Sequence, residues 1–225
     1  MAKGVKPLQH VRKKELKEDK LVTTYFQSRD YFSENKNKII KIGGAVILII
    51  ALTAFWFTSK RNAEYQAAYE MGVALTAAQA VDPAALADDF NQIAERFSGT
   101  TAGNEALMYT AQMHMMADQK EEALEAYDRY LQKGRKSAYL YPSALAGKAS
   151  CLEDLGRFND AAQVYLQAAS VKKNFFLAPR FHLDAARCYR LAGESERART
   201  ECELIETNFP DSPFAREAIK EAARL

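Results

Sequence analysis

The chain has 225 residues, of which 48% are hydrophobic and 27% are charged, enough for a folded core and unlike a largely disordered chain. Its 31 basic and 29 acidic side chains leave a net charge of +2, which excludes a nucleic-acid footprint over the whole chain. The mean hydropathy of −0.34 is typical of a soluble protein, but it averages over segments of opposite character. Residues 1–41 carry a net charge of +6, residues 42–59 carry none, and residues 60–225 carry −4.

The first segment, residues 1–38, is predicted to be a basic cytoplasmic arm. Within it, residues 12–35 begin with Glu and Lys and continue with a loosely helical apolar stripe of Leu21, Tyr25, Phe26 and Phe32. The pattern fits an amphipathic helix on anionic lipid or on a membrane partner, and it fits equally a solvated arm whose charges only fix topology. We expect no nucleic acid partner, because no recognisable nucleic-acid-binding module accompanies the basic residues.

The uncharged segment predicts a transmembrane helix over residues 39–59. Residues 42–58 carry no charge, and Ile39, Ile40 and a snorkelling Lys41 extend the span to twenty residues, roughly 30 Å of helix. Aromatic residues followed by basic ones are typical of a membrane interface. The predicted anchoring residues are Lys41, Trp56, Lys60 and Arg61.

This segment is interpreted as an uncleaved signal anchor, since forty-one residues precede it and Phe57-Thr58-Ser59 is not a small-x-small cleavage site. Four basic residues lie close before the span and two lie just after it. The positive-inside rule therefore predicts a cytoplasmic N-terminus and a translocated segment of residues 60–225.

Beyond the span, four stretches share a pattern that recurs every 37 or 38 residues. A small residue lies on the predicted first helix of each stretch, at Ala74, Ala111, Ala149 and Ala186. Twelve residues later the second helix brings Leu86, Ala123, Ala161 and Ala198. Four residues further come Phe90, Tyr127, Tyr165 and Cys202. Small residues allow two antiparallel helices to approach closely, and the larger ones wedge against the next pair.

This pattern resembles the tetratricopeptide repeat, a helix-turn-helix of 34 residues, over about residues 64–225. Turn glycines are present as Gly156 and Gly193, and Pro210 takes the place of the closing proline. The first repeat departs most, since Leu86 replaces a small residue and Asp82-Pro83 interrupts the region between its helices.

The predicted fold class is therefore all-α. An N-terminal transmembrane helix precedes a tetratricopeptide-repeat α-solenoid of about four helix pairs and a capping helix, which begins after Asp211-Ser212-Pro213. A generic helical bundle is the alternative.

Motifs for catalysis are scarce, so we expect no enzyme activity, no catalytic residues, no cofactor and no metal. His10, His114 and His182 lie far apart, and neither HExxH nor CxxC occurs. The sequence Gly147-Lys148-Ala149-Ser150 superficially suggests a phosphate loop but lacks the upstream glycine spacing. Cys151, Cys188 and Cys202 are expected to be small buried hydrophobes, with a Cys188–Cys202 bridge left open.

In tetratricopeptide domains the first helix of each repeat lines the concave face. Carrying that register over predicts a partner-binding groove with a Met-rich apolar end, an acidic patch and a basic end: Met71, Leu75, Gln79, Met108, Gln112, Met115, Met116, Glu153, Asp154, Arg187 and Arg190. Methionine can repack around varied apolar segments, although each Met can equally be core between helices. Arg187 and Arg190 can bind a carboxylate or pair with Asp184 or Glu194.

The whole layout, with SENKNKIIKIGG entering the span and NFPDSPFAREA near the C-terminus, resembles the YfgM-like ancillary subunits of the bacterial Sec translocon. The resemblance implies a bacterial inner membrane protein with a periplasmic repeat domain and a chaperone-like or adaptor role. Its implied partners are the lipid bilayer, a membrane complex such as the Sec translocon, chaperones and unfolded polypeptides. The alternative is a structural accessory subunit of another membrane complex, serving envelope assembly, cell division or energy conversion.

Overall fold

The computed structural model describes residues 25, 29, 31, 33–77, 81–133, 139–172 and 176–225. The chain divides into two compact units, Met1–Thr58 and Ser59–Leu225. Across the described residues, every regular element is a helix. Several residues of the predicted arm and groove lie outside this described part: Leu21, Phe26, Phe32 and Gln79.

The first helix, α1, covers Lys36–Ala77 and contains the whole uncharged segment. It is long and apolar enough to cross a membrane, and none of its apolar stretch is buried within the structure. Large apolar side chains between Ile40 and Phe57 are 49% to 73% exposed. The hydroxyl of Thr53 donates to the carbonyl oxygen of Ile49 at 2.9 Å, which satisfies a polar group without water. These properties are those required of a membrane-spanning helix.

The second unit contains the end of α1 and eight further helices within the described residues. They are α2 (Pro83–Arg96), α3 (Thr101–Met116), α4 (Lys120–Lys133), α5 (Leu140–Asp154), α6 (Phe158–Ser170), α7 (Ala178–Leu191), α8 (Ser195–Asn208) and α9 (Ala215–Ala222). From α2 onward each helix packs against the next, α3 also contacts α5, and α9 packs on both α8 and α7. This arrangement confirms the predicted α-solenoid with a capping helix.

The small and large positions of the sequence repeat form the core of this unit. The small-residue positions are at most 8% exposed, and all except Ala74 are fully buried. Phe90 and Cys202 are also fully buried, and Tyr127 and Tyr165 are 4% and 5% exposed. The period of 37 or 38 residues in the sequence therefore arises from the packing of antiparallel helix pairs, as predicted.

The turn inside each of the last three repeats has one geometry. Asp118, Gly156 and Gly193 have φ of 61°, 73° and 79°, the left-handed conformation that closes a helix. The following residue donates its backbone N–H to the carbonyl five residues back, as from Arg157 to Leu152 at 2.8 Å. The sequence predicted the two glycines, whereas Asp118 in the same place was not foreseen, because aspartate adopts this conformation only occasionally.

The first repeat is built from the end of α1 and from α2. Asp82 and Pro83, which interrupt the pattern in sequence, begin α2: the Asp82 carboxylate accepts the N–H of Ala85 at 3.3 Å, and Pro83 occupies the first turn. Leu86, which replaces a small residue, is fully buried against Phe90 in the same core cluster.

Candidate protein-binding surface

The first helices of the repeats, α1, α3, α5 and α7, lie side by side and run in the same direction. Successive helices joined by short turns alternate in direction, and contacts between equivalent places link each first helix to the next. The carboxylate of Glu64 accepts the N–H of Thr101 at 2.8 Å, and Sγ of Cys151 lies 3.1 Å from Sδ of Met115. Arg187 Nη2 then donates to Oε2 of Glu153 at 2.9 Å. The predicted groove residues therefore belong to one continuous row of helices.

The methionine end of the predicted groove divides into core and surface. Met71 and Met108 are 7% and 8% exposed and pack in the core of the first two repeats. Met115 is half-buried against that core, and Met116 at the end of α3 is 68% exposed. The other two described side chains of this end remain accessible, with Leu75 exposed and Gln112 half-buried.

The acidic patch and the basic end of the predicted groove are joined by ion pairs. Arg187 contacts Glu153 and also lies 3.4 Å from Oδ1 of Asp184, its predicted partner. Asp154, beside Glu153, is exposed. Arginine guanidinium groups paired in this way are neutralised before any ligand arrives.

Arg190 does not pair with Glu194 as the sequence suggested. Its Nε donates to Oε1 of Glu221 in α9 at 2.5 Å, and Arg224 contacts the other oxygen at 3.1 Å. Glu194 lies instead 3.8 Å from Arg197. Because thirty-one residues separate Arg190 from Glu221, local spacing could not reveal the contact.

A cleft of about 400 Å³ lies between α7 and the capping helix α9. Arg180, Asp184 and Arg187 line one wall, and Lys220 and Arg224 line the other. Burial raises the pKa of Asp184, and the two arginines oppose that rise. Glu217 and Glu221 also line the cleft, so its four cationic side chains face three carboxylates, of which Asp184 and Glu221 are buried.

A second cleft, of about 380 Å³, lies between the end of α1 and α2, and no described residue of the predicted groove lines it. Tyr69 and Val73 line it and are 73% and 53% exposed, and Tyr65, one turn earlier, is 67% exposed. Their spacing of four residues places them on one face of α1. The sequence shows this four-residue spacing. Because the three residues follow the predicted span closely, the spacing did not stand out as a separate surface.

Side chains arranged for catalysis or metal binding are scarce in the described part of the chain. There, no three His, Cys, Asp or Glu side chains converge to hold a metal ion. Each described histidine has a hydrogen-bonding partner: His114 Nδ1 lies 2.8 Å from Gln119 Oε1, and His182 Nδ1 lies 2.7 Å from Glu201 Oε2. Gly147 of the superficial phosphate loop lies inside α5.

Paired antiparallel helices stacked in register, with a continuous row of first helices, define an α-solenoid of the protein-interaction class. The tetratricopeptide repeat family model matches residues 87–138 and 152–213, about half of the chain. The chain therefore belongs to the tetratricopeptide repeat family, whose members typically act as non-catalytic protein-interaction modules.

Solved structures support the same fold. Two crystal structures of nearly identical TPR-like repeats from a putative kinesin light chain of Podosopora anserina, one of them a single-substitution variant, each align with a TM-score of 0.56 at 14% identity. Each alignment covers 72% of this chain and 85% of the other. A comparison with curated protein sequences found no match.

Proposed function

We propose that this protein is a single-pass, membrane-anchored interaction subunit that binds translocated polypeptides or their chaperones beside the Sec translocon. Residues 1–38 form its cytoplasmic arm, residues 39–59 its anchor and residues 60–225 its periplasmic repeat domain. The observation that carries the proposal is the exposed apolar stretch of α1, joined directly to a family of repeats that bind proteins.

The charge distribution supports the orientation. The segment before the span carries a net +6, and the segment after it carries −4. Positively charged flanks are retained in the cytoplasm, so the repeat domain is translocated into the periplasm of a bacterial inner membrane. Lys41 at one end of the span, and Trp56, Lys60 and Arg61 at the other, match the two interfaces of a bilayer.

The proposed groove is narrower than the full row of predicted residues. Leu75, Gln112 and Met116 offer accessible surface for an apolar polypeptide segment, whereas Met71 and Met108 stabilise the core beneath it. A flexible methionine beside a glutamine suits an occupant of variable sequence, as an unfolded or emerging polypeptide would be.

Photo-crosslinking tests this proposal. A photoreactive residue at Gln112, on the first helix of its repeat, should capture translocated polypeptides, chaperones or Sec components in native membranes. The same residue at Gln163, exposed on the second helix of its repeat, should not. Equal capture at both positions, or capture of none of these three classes at Gln112, would contradict the proposal.

A structural accessory role in another membrane complex, in envelope assembly, cell division or energy conversion, is the second candidate. The engagement of Arg187 and Arg190 in ion pairs favours it, because these pairs leave less of the groove for a ligand. In that case residues 1–59 alone should still co-purify with the complex. For a groove-dependent role, removing residues 60–225 should abolish co-purification.

A further inference from the structure

The stack of helix pairs in the repeat unit ends in two different ways. At its C-terminal end, α9 packs on α8, the last second helix, and covers the stack. At its N-terminal end lies the first repeat, where three side chains of α1 form what we name the stacking face: Tyr65, Tyr69 and Val73. They are 67%, 73% and 53% exposed. The stack is therefore covered at one end and presents exposed apolar side chains at the other.

Later repeats bury the residues that are equivalent to the stacking face. In the second repeat these residues are Ala102, Ala106 and Thr110, which are 8%, 0% and 2% exposed. The central position of the face is buried in the third and fourth repeats as well, where Ala144 and Phe181 are 0% and 5% exposed. The first repeat thus exposes a surface that the later repeats use for packing.

In those later repeats this side of the first helix packs on the second helix of the preceding repeat. Lys148 in α5, equivalent to Val73, donates to Oδ1 of Asp128 in α4 at 2.6 Å. On the same side of α3, Tyr109 stacks on Phe90 of α2, with ring centroids 5.2 Å apart. The stacking face therefore lies where one further helix would continue the stack.

The exposed side chains around the stacking face carry no charge. Every exposed side chain of α1 from Tyr65 to Thr76 is uncharged. The one charged residue in that stretch, Glu70, is half-buried and contacts Arg96 of α2. The second helices of later repeats expose charged side chains instead, such as Glu125 of α4. A partner for this face must therefore match an uncharged surface.

We propose that the stacking face pairs with the same face of a second copy of this chain, around a twofold axis at Tyr69. Side chains near such an axis meet their own copies, so a charged face would bring like charges together and an uncharged face avoids that repulsion. A partner of another kind would instead be selected by complementary charges. Two tyrosine rings from each copy supply apolar contact, and their hydroxyl groups keep access to water.

The size of the face sets the conditions under which the copies pair. The stretch from Tyr65 to Thr76 is about 18 Å long and, as one helix, about 10 Å wide. That footprint is smaller than the roughly 800 Å² that each partner buries in a stable interface. Pairing is therefore weak in dilute solution and is favoured where the anchor holds copies in one membrane at high effective concentration. For this confinement the inference rests on the anchoring proposed above.

Energy transfer between labelled copies of the full chain in phosphatidylcholine vesicles tests the pairing. Donor and acceptor dyes are attached to Gln163→Cys, an exposed position on α6, because the native thiols are buried. Charges are placed at the centre of the face with Tyr69→Glu and with Tyr69→Lys. Ile219→Glu is the matched control, since Ile219 is an apolar residue that is 54% exposed on α9, at the other end of the stack.

We expect energy transfer between native faces to exceed that of either charged variant at least threefold. An equal mixture of Tyr69→Glu and Tyr69→Lys copies should recover at least half of the native transfer, because opposite charges then meet at the axis. The Ile219→Glu control should keep the native transfer. Circular dichroism should show the same helix content in all variants, since the substituted side chains are exposed.

Flotation of the chain with the vesicles reports the anchoring separately. If the chain floats and neither charge at Tyr69 changes the transfer, the pairing is overturned and the anchoring stands. If the chain does not float, the anchoring is overturned, and the same comparison at high protein concentration in solution decides the pairing. Loss of transfer with both charges and no recovery in the mixture would overturn the twofold contact at Tyr69.

A photoreactive residue at Tyr69 in native membranes distinguishes a second copy from another occupant. We expect it to capture a second copy of this chain. Capture of a different protein, without any second copy, would overturn the pairing in favour of a heterologous partner.

Discussion

At the scale of single residues, Gly147 shows how little space the repeats leave between helices. A β-carbon added to Gly147 in α5 would overlap the ring of Tyr127, which is 4% exposed in α4. Interiors packed this closely relax only partly around added atoms. The glycine that suggests a phosphate loop in sequence is therefore required for helix packing.

We predict that Gly147→Ala lowers the free energy of unfolding by about 2 kcal/mol, as overpacking does elsewhere. Gly72→Ala in α1 is the matched control, because nothing lies within 4 Å of its added methyl, and it should raise stability by about 0.5 kcal/mol. Urea unfolding of both variants measures the difference. Equal effects at the two positions would contradict the packing described here.

The three cysteines are buried free thiols. Burial raises the pKa of Cys151 and of Cys188 to about 12 and that of Cys202 to about 11. Since the thiolate is the reactive form, we predict that a thiol–disulfide reagent at pH 8 modifies none of them in the folded protein and all three after unfolding. Rapid modification of Cys188 and Cys202 only after reduction would reveal the bridge that the sequence left open.

The same shifts predict a fall in stability with rising pH. In the unfolded chain the thiols lose protons near pH 9, whereas in the folded chain they keep them to pH 11 or 12. Between these values the folded state holds more protons, so the free energy of unfolding should fall by about 1 kcal/mol per thiol per pH unit. Urea unfolding at pH 8 and pH 10 measures this fall, and a flat profile would contradict it.

At the scale of elements, Glu64 links two helices whose sequence positions lie far apart. Its half-buried carboxylate accepts hydrogen bonds from the backbone N–H groups of Thr101 and Ala102. N–H groups in the first turn of a helix have no acceptor within the helix itself. A negative charge at this place also interacts favourably with the helix dipole. Thr100, the N-cap residue of α3, accepts the backbone N–H of Gly103 with its side-chain Oγ1 at 2.9 Å. Glu64 and Thr100 therefore bind different N–H groups of the same helix.

We predict that Glu64→Ala lowers the free energy of unfolding of the repeat unit by about 1 kcal/mol, and that Glu64→Gln recovers part of this loss because its amide oxygen still accepts. Glu125→Ala, at an exposed position in the middle of α4, serves as control and should change stability by less than about 0.5 kcal/mol. Thermal unfolding followed by circular dichroism compares the three. A control as damaging as Glu64→Ala would argue against the cap.

The sequence predicted the helices and their register well, because both depend on local spacing. Ala149 and Tyr165 could be assigned to the core from a period of 37 or 38 residues alone. The candidate site was harder to predict, since a methionine on a first helix has the same spacing whether its side chain is exposed, as that of Met116 is, or buried in the core, as that of Met108 is. The predicted partner of Arg190 was wrong for a related reason. Its acidic partner, Glu221, belongs to the capping helix α9, which lies outside the repeat pattern.

At the scale of the whole molecule, the near-neutral net charge of +2 is the sum of three segments that suit different environments. The basic arm and the uncharged span fit a membrane and its cytoplasmic face, and the acidic repeat unit fits the proposed far side. The tetratricopeptide repeats indicate that this unit is a protein-interaction module, and the proposed anchor would keep it beside partners that pass through or reside in the membrane.

Cysteine labelling in intact bacterial spheroplasts tests the central claim most directly, because the native thiols are buried and give little background. A membrane-impermeant maleimide should label Met116→Cys, in the repeat unit, and should label Ser33→Cys, before the span, only after the membrane is permeabilised. Labelling of Ser33→Cys alone, or of both positions without permeabilisation, would contradict a protein that crosses the membrane once and places its repeats outside the cytoplasm.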